Sequence, residues 1–173
     1  MSQLSSLSFT SSTDSSLLVR DVAGSYRPAE PAEVLQAALR VLAGQLRGTE
    51  MLSSPQAVRD FLRIKLGTLE HEVFAVIHLD SQHRVIEYVE MFRGTVTQTS
   101  VYPREVVKEA MAHNTAAIVL VHNHPSGVAE PSRADEHLTQ TLKSALSLVD
   151  VRVIDHLIVA GPTILSFAES GLL

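Results

Sequence analysis

The chain of 173 residues contains no cysteine. That absence excludes disulfides, thiolate-bound zinc, iron–sulfur clusters and thiol catalysis. It also removes the ligands of a zinc nucleobase deaminase, whose H-x-E signature is missing too. A basic excess is equally lacking: 14 Lys and Arg stand against 19 Asp and Glu, a net charge of −5. A nonspecific nucleic-acid partner, which needs a basic face, is therefore not supported by charge, although a local basic patch stays open. No apolar run approaches the ~20 residues that cross a bilayer, so no membrane partner is expected. The start, MSQLSSLSFTSSTDSSLLVRD, has neither a basic n-region nor an apolar h-region, and is not read as a secretory signal. The cytoplasm is the expected compartment.

What is present is an ordinary globular balance, 45% hydrophobic and 19% charged. At this length a chain buries roughly 70% of its unfolded surface, enough for one core. Residues 1–30 are poor in core-forming side chains and read as a flexible tail. A helix is expected over 31–50, with Leu35, Ala38, Leu39, Leu42 and Leu46 on one side and Gly48 at its stop. A second helix follows, with Ser54 as cap, Pro55 in the first turn and Val58, Phe61, Leu62 and Leu66 as its stripe.

The period then changes. EVFAVIHLD (72–80) and AAIVLVH (116–122) are short and apolar throughout, the mark of strands covered on both faces. Strand candidates 85–92 and 95–102 complete an antiparallel meander with the first of these, bending at Gly94. Helices are expected from Pro103 to His113 and from Ser132 to Val149, and VRVIDHLIVA and TILSF close the chain as strands. Strands mixed with helices in this order imply an α/β fold, a mixed β-sheet flanked by helices. Ligand sites in such folds gather where strands end and helices begin.

One such junction is 118-IVLVHNHPSGVAEPSRAD-135. His122 and His124, two apart at a strand end, point to the same face. Two imidazoles so placed can converge on one ion, and Asp135 in the first turn of the next helix can add an oxygen. A His/His/Asp set leaves a fourth tetrahedral position open, as catalytic zinc requires, and zinc brings the pKa of water down to about 7. Hydrolysis also needs a base and an oxyanion donor. Ser132, in the same loop, is the candidate donor. Glu72, at the mouth of the apolar strand, is the candidate base, with Glu70 as its rival. A plainer account stands beside this one: Ser132 and Asp135 also spell a capping box, and one serine can do both jobs. His71, His83, His113 and His137 read as surface residues, and His78 as buried without a spaced partner. Asp155 and His156 read either as a structural pair or as groups behind the site.

His122-x-His124-x7-Ser132-x2-Asp135 matches the JAMM signature of MPN-type zinc metalloproteases at every spacing. HNHPSG, PREVVKEA, LDSQHRVI and DHLIV further resemble the RadC family, over about residues 51–173. The resemblance implies a JAB/MPN, cytidine-deaminase-like domain. It implies zinc on His122, His124 and Asp135, Ser132 at the oxyanion and Glu72 as general base. The implied reaction is hydrolysis of an amide or isopeptide bond in a peptide or protein substrate. Longer RadC relatives resemble proteins with an N-terminal helix-hairpin-helix-like module, linked by name to DNA repair. The roughly 50 residues upstream here read as too short for it, a short form. The rival expectation is a binding or scaffold protein of DNA repair or recombination, its metal site structural or vestigial.

Overall fold

The computed structural model describes residues 17–48, 55–94 and 100–173. They divide into two compact units, one up to Ala38 and one from Leu39 to Leu173. In the first, β1 (Leu18–Arg20) and β2 (Tyr26–Pro28) pair as an antiparallel hairpin, followed by the start of α1 (Pro31–Leu46). The described part of the segment expected as a flexible tail thus carries a short hairpin. Its Leu18, Val22 and Tyr26 lie exposed. Residues 1–16 lie outside the described residues.

The second unit is built on a five-stranded sheet in the order β4-β3-β5-β6-β7. Its strands are β3 (Val73–Leu79), β4 (Val85–Arg93), β5 (Ala117–Asn123), β6 (Arg152–Ala160) and β7 (Thr163–Ser166). Only β5 and β6 run parallel, and the helix between them makes the crossover that a parallel pair demands. The sheet is therefore mixed, with helices against it, as the sequence implies.

Alternation sorts the strand side chains between two cores. Ala75, Ile77, Val119 and Val121 face the cluster that holds Val58, Phe61, Leu62 and Leu66 of α2 (Pro55–Leu66). Leu39, Leu42 and Leu46 of α1 join it, whereas Leu35 is exposed. Phe74, Val76, Ile118 and Leu120 face the other way. There they meet Val106 and Ala110 of α3 (Pro103–Ala112) and Leu142 and Leu146 of α4 (Arg133–Ser147). Strands β3 and β5 are buried at every position, which is why they read as unbroken apolar runs.

Gly48 sits at φ +76°, the left-handed turn expected after α1. The expected Ser54 cap falls outside the described residues. So do 95–99 of the expected strand 95–102, and the remaining 100–102 are not in a strand. Pro103 opens a helix directly after Tyr102, and the backbone N–H of Glu105 already donates to the Tyr102 carbonyl, so that end belongs to a helix start. Among the described residues no helix is long and apolar enough to cross a membrane.

Candidate metal centre

Strand β5 carries His122 to its last turn of pleat, on the face covered by α4. His124 follows just beyond the strand, its backbone N–H still donating to the Val159 carbonyl of β6. The chain then reverses: the N–H of Gly127 donates to the His124 carbonyl, and Gly127 takes φ +76°. A glycine is needed there for its backbone alone. The reversal returns the Val128 carbonyl to His124 Nδ1, 2.8 Å away.

Helix α4 begins with a capping box. Ser132 Oγ accepts from the Asp135 N–H at 3.2 Å, and the Ser132 N–H donates to Asp135 Oδ2 at 2.7 Å. The Ser132 hydroxyl also donates to Oδ2, at 2.7 Å. One carboxylate oxygen is thereby occupied and the other, Oδ1, is left toward the histidines. The helix start also suits a negative charge.

The result is a cluster of three side chains whose ligand atoms all lie within 4.8 Å of one another. The two Nε2 atoms are 2.9 Å apart, and Asp135 Oδ1 lies 3.3 Å from His122 Nε2. His124 Nε2 is 3.6 Å from Asp135 Oδ2. Two metal–donor bonds of 2.0–2.1 Å at a tetrahedral angle set their donors about 3.3 Å apart. The donors therefore fit an ion with little movement. Two imidazole Nε2 atoms and a carboxylate converge, and their mutual repulsion is relieved by a proton on one nitrogen or by a cation among them. The cluster can hold a metal ion.

Electrostatics agree. Burial pushes the His122 imidazole down to about 4, so it is neutral and its approach to Asp135 is no ion pair at neutral pH. His124 is raised, first by its interaction with Asp135, then by the Val128 carbonyl and by the charges of Asp135 and Glu72. Burial alone would raise the Asp135 carboxyl. The two histidines and the Ser132 donors outweigh it and hold the group well below the usual carboxylate range. The site is deep on one side and open on the other: the His122 side chain is 2% exposed, those of His124 and Asp135 18% and 14%.

Glu72 stands immediately before β3, half-buried, its carbonyl accepting from the Gly94 N–H at 2.8 Å. Antiparallel pairing sets Phe74 opposite His122, which carries Glu72 to the same end of the sheet. Glu70 is exposed. Sequence reasoning gives no role to Asn123, yet its buried side chain brackets Glu72. Oδ1 accepts from the Val73 N–H at 2.7 Å and Nδ2 donates to the His71 carbonyl at 3.0 Å.

Two histidine readings change. His78 does have a partner: its ring stacks on His113 at 4.5 Å, and Nδ1 pairs with Thr115 Oγ1 at 2.8 Å. Asp155 and His156 are not paired side chain to side chain. Asp155 accepts from the His156 and Ala168 backbone N–H groups and from the Ser166 hydroxyl, while His156 turns to His122 and Thr139. His137 is exposed, as expected.

A family described as RadC-like JAB domain matches residues 52–172. The chain belongs to that family. Among its relatives, a UPF0758 protein of Leptothrix cholodnii is 61% identical over 150 residues, covering 87% of this chain and 68% of the relative. UPF0758 proteins of Polaromonas sp. and Nitrosomonas eutropha are 61% and 55% identical, each match covering 87% of this chain and 67% of the relative. The RadC-like JAB match contains every residue of the cluster, together with Glu72 and Ser132.

Proposed function

We propose that this protein is a zinc-dependent metallohydrolase that cleaves an amide or isopeptide bond in a peptide or protein substrate. The observation that carries the reading is the convergence of two imidazole Nε2 atoms and Asp135 Oδ1 at near-tetrahedral donor spacing, on a site open to one side. Zinc bound there would supply Lewis acidity and bring the pKa of water to about 7.

In this reading His122, His124 and Asp135 hold the ion. Glu72 is the general base. Its carboxylate acts on His124 through its charge, and the Asn123 clamp on either side fixes its backbone. Ser132 serves the developing oxyanion by turning its hydroxyl hydrogen away from Asp135 Oδ2. That oxygen keeps the Ser132 N–H, so the ligand stays oriented during the turn. The cap and the catalytic role are thus compatible. The net charge of −5 favours a peptide over a nucleic acid as substrate, and a cytoplasmic setting belongs to the same proposal.

The test is bound zinc and peptide cleavage in the wild type, His124→Ala and Glu72→Gln. Expected are zinc in the wild type and Glu72→Gln, loss in His124→Ala, and a fall in turnover of about 10²–10⁴ in Glu72→Gln. Absence of zinc from all three sinks the site, and unchanged turnover in Glu72→Gln sinks its role. DNA binding that survives zinc removal would favour the repair scaffold instead.

A further inference from the structure

Behind His122 lies a chain of hydrogen bonds that the metallohydrolase reading does not use. His122 Nδ1 is 2.8 Å from His156 Nε2. His156 Nδ1 is 2.6 Å from Thr139 Oγ1, and Thr139 Oγ1 is 2.6 Å from the Asp135 carbonyl. We infer that His156 and Thr139 are positioning residues that hold His122 in the one tautomer whose Nε2 is free to bind a metal. The inference rests on the metal site proposed above.

Its force comes from direction. A carbonyl only accepts, so the Thr139 hydroxyl must donate to Asp135. With its hydrogen so spent, Oγ1 faces His156 Nδ1 with a lone pair, and Nδ1 must carry the hydrogen. A neutral imidazole has one N–H, so His156 Nε2 is an acceptor. His122 Nδ1 must then be the donor, and its own Nε2 is bare. Each link has one permitted polarity, and reversing any of them sets two acceptors or two hydrogens face to face. The path also closes on itself. Asp135 anchors it through its carbonyl and meets its far end through its carboxylate.

The surroundings keep the path from rearranging. His156 and Thr139 are both fully buried, so water does not compete for their hydrogen bonds. The His156 ring lies 4.7 Å from Phe167 and 6.2 Å from Phe74, fixed between aromatic rings. Strand pairing sets His156 beside Leu120, two residues before His122 and on the same face. His124 needs no such relay, because the Val128 carbonyl already fixes its Nδ1–H. The exposed ligand takes its tautomer from the backbone of its own loop; the buried one takes it from two other elements.

Thr139→Val keeps the shape and deletes the hydroxyl. The His156 Nδ1–H then has no acceptor, and the favoured arrangement reverses: His156 donates from Nε2, and His122 turns an Nε2–H into the site. The expected result is a fall in zinc affinity of about 10–100-fold, read by competition with a chromophoric chelator. Imidazole nitrogen NMR of the metal-free protein should show His122 as Nδ1–H in the wild type and as Nε2–H in Thr139→Val. Thr139→Ser should restore both. A lower melting temperature in Thr139→Val with unchanged affinity and unchanged tautomer would overturn the inference. If the wild type binds no zinc, the functional reading fails by itself, and the metal-free nitrogen spectrum still decides this one. Should Thr139→Val not fold, that wild-type spectrum is sufficient: an Nε2–H on His122 refutes the relay.

Discussion

His78 and His122 point to the same face of the sheet from adjacent antiparallel strands, and burial pushes both imidazoles down to about 4. At the His122 end the neighbouring element is the beginning of α4, which brings a carboxylate oxygen to 3.3 Å. At the His78 end it is the finish of α3, whose C-cap His113 stacks flat on the ring. There Nε2 of His78 has no hydrogen-bond partner among the described residues, and the Glu109 carboxylate lies 3.4 Å from His113 Nδ1. Among the described residues no second ligand cluster forms. A buried imidazole with a depressed pKa is thus not by itself a site. What distinguishes the two ends is which helix terminus covers the strand, since a helix start welcomes an anion and a helix finish does not.

The contrast can be broken most forcefully through the metal. His124→Ala should lower zinc affinity by more than the roughly 100-fold that outer residues command, while His78→Asn leaves it unchanged. Equal losses in both variants, measured by calorimetry, would erase the distinction. A second effect is in acid. Well above pH 6.5 neither folded nor unfolded His78 carries a proton, and the group costs the fold no stability through protonation. As pH falls toward 4, the unfolded chain takes up a proton that the fold refuses, and stability drops by on the order of 2 kcal/mol. His122 adds a loss of the same sign in metal-free protein. Urea unfolding at pH 7 and 4.5 should show a shallower drop in His78→Asn. The smallest effect concerns the helix start. Ser132→Ala should cost about 1 kcal/mol of stability through the lost cap, seen in thermal unfolding of metal-free protein.

Much of the candidate site is legible in the sequence because it is local. His122, His124, Ser132 and Asp135 lie within 14 consecutive residues, and strand alternation followed by a capping box is enough to bring them together. The apolar runs of β3 and β5 and the stripes of α2, α3 and α4 are legible for the same reason, since each answers to one period. Thr139 and His156 are not. Their meeting requires the parallel register of β5 on β6, including its irregularity between Ile118 and Val119, and no local pattern encodes it. One signal was available: Thr139 is a polar residue on the inward stripe of α4, four after Asp135 and three before Leu142. The stacking of His113 on His78 and the Asn123 clamp on Glu72 are likewise long-range, 35 and about 50 residues apart.

Asn123 carries a further consequence. It sits between His122 and His124, and its side chain ties β5 to both peptide groups flanking Glu72. Because side chains alternate along a strand, sliding β5 by one residue would put the amide among the metal donors and an imidazole in the clamp. In the proposed reading, a single residue of slip would dismantle ion binding and base placement together. The pairing of Phe74 with His122 is therefore a checkpoint as well as a contact. A chain that completes its sheet one residue out of this alignment would keep an apolar strand there and lose the convergence of His122, His124 and Asp135.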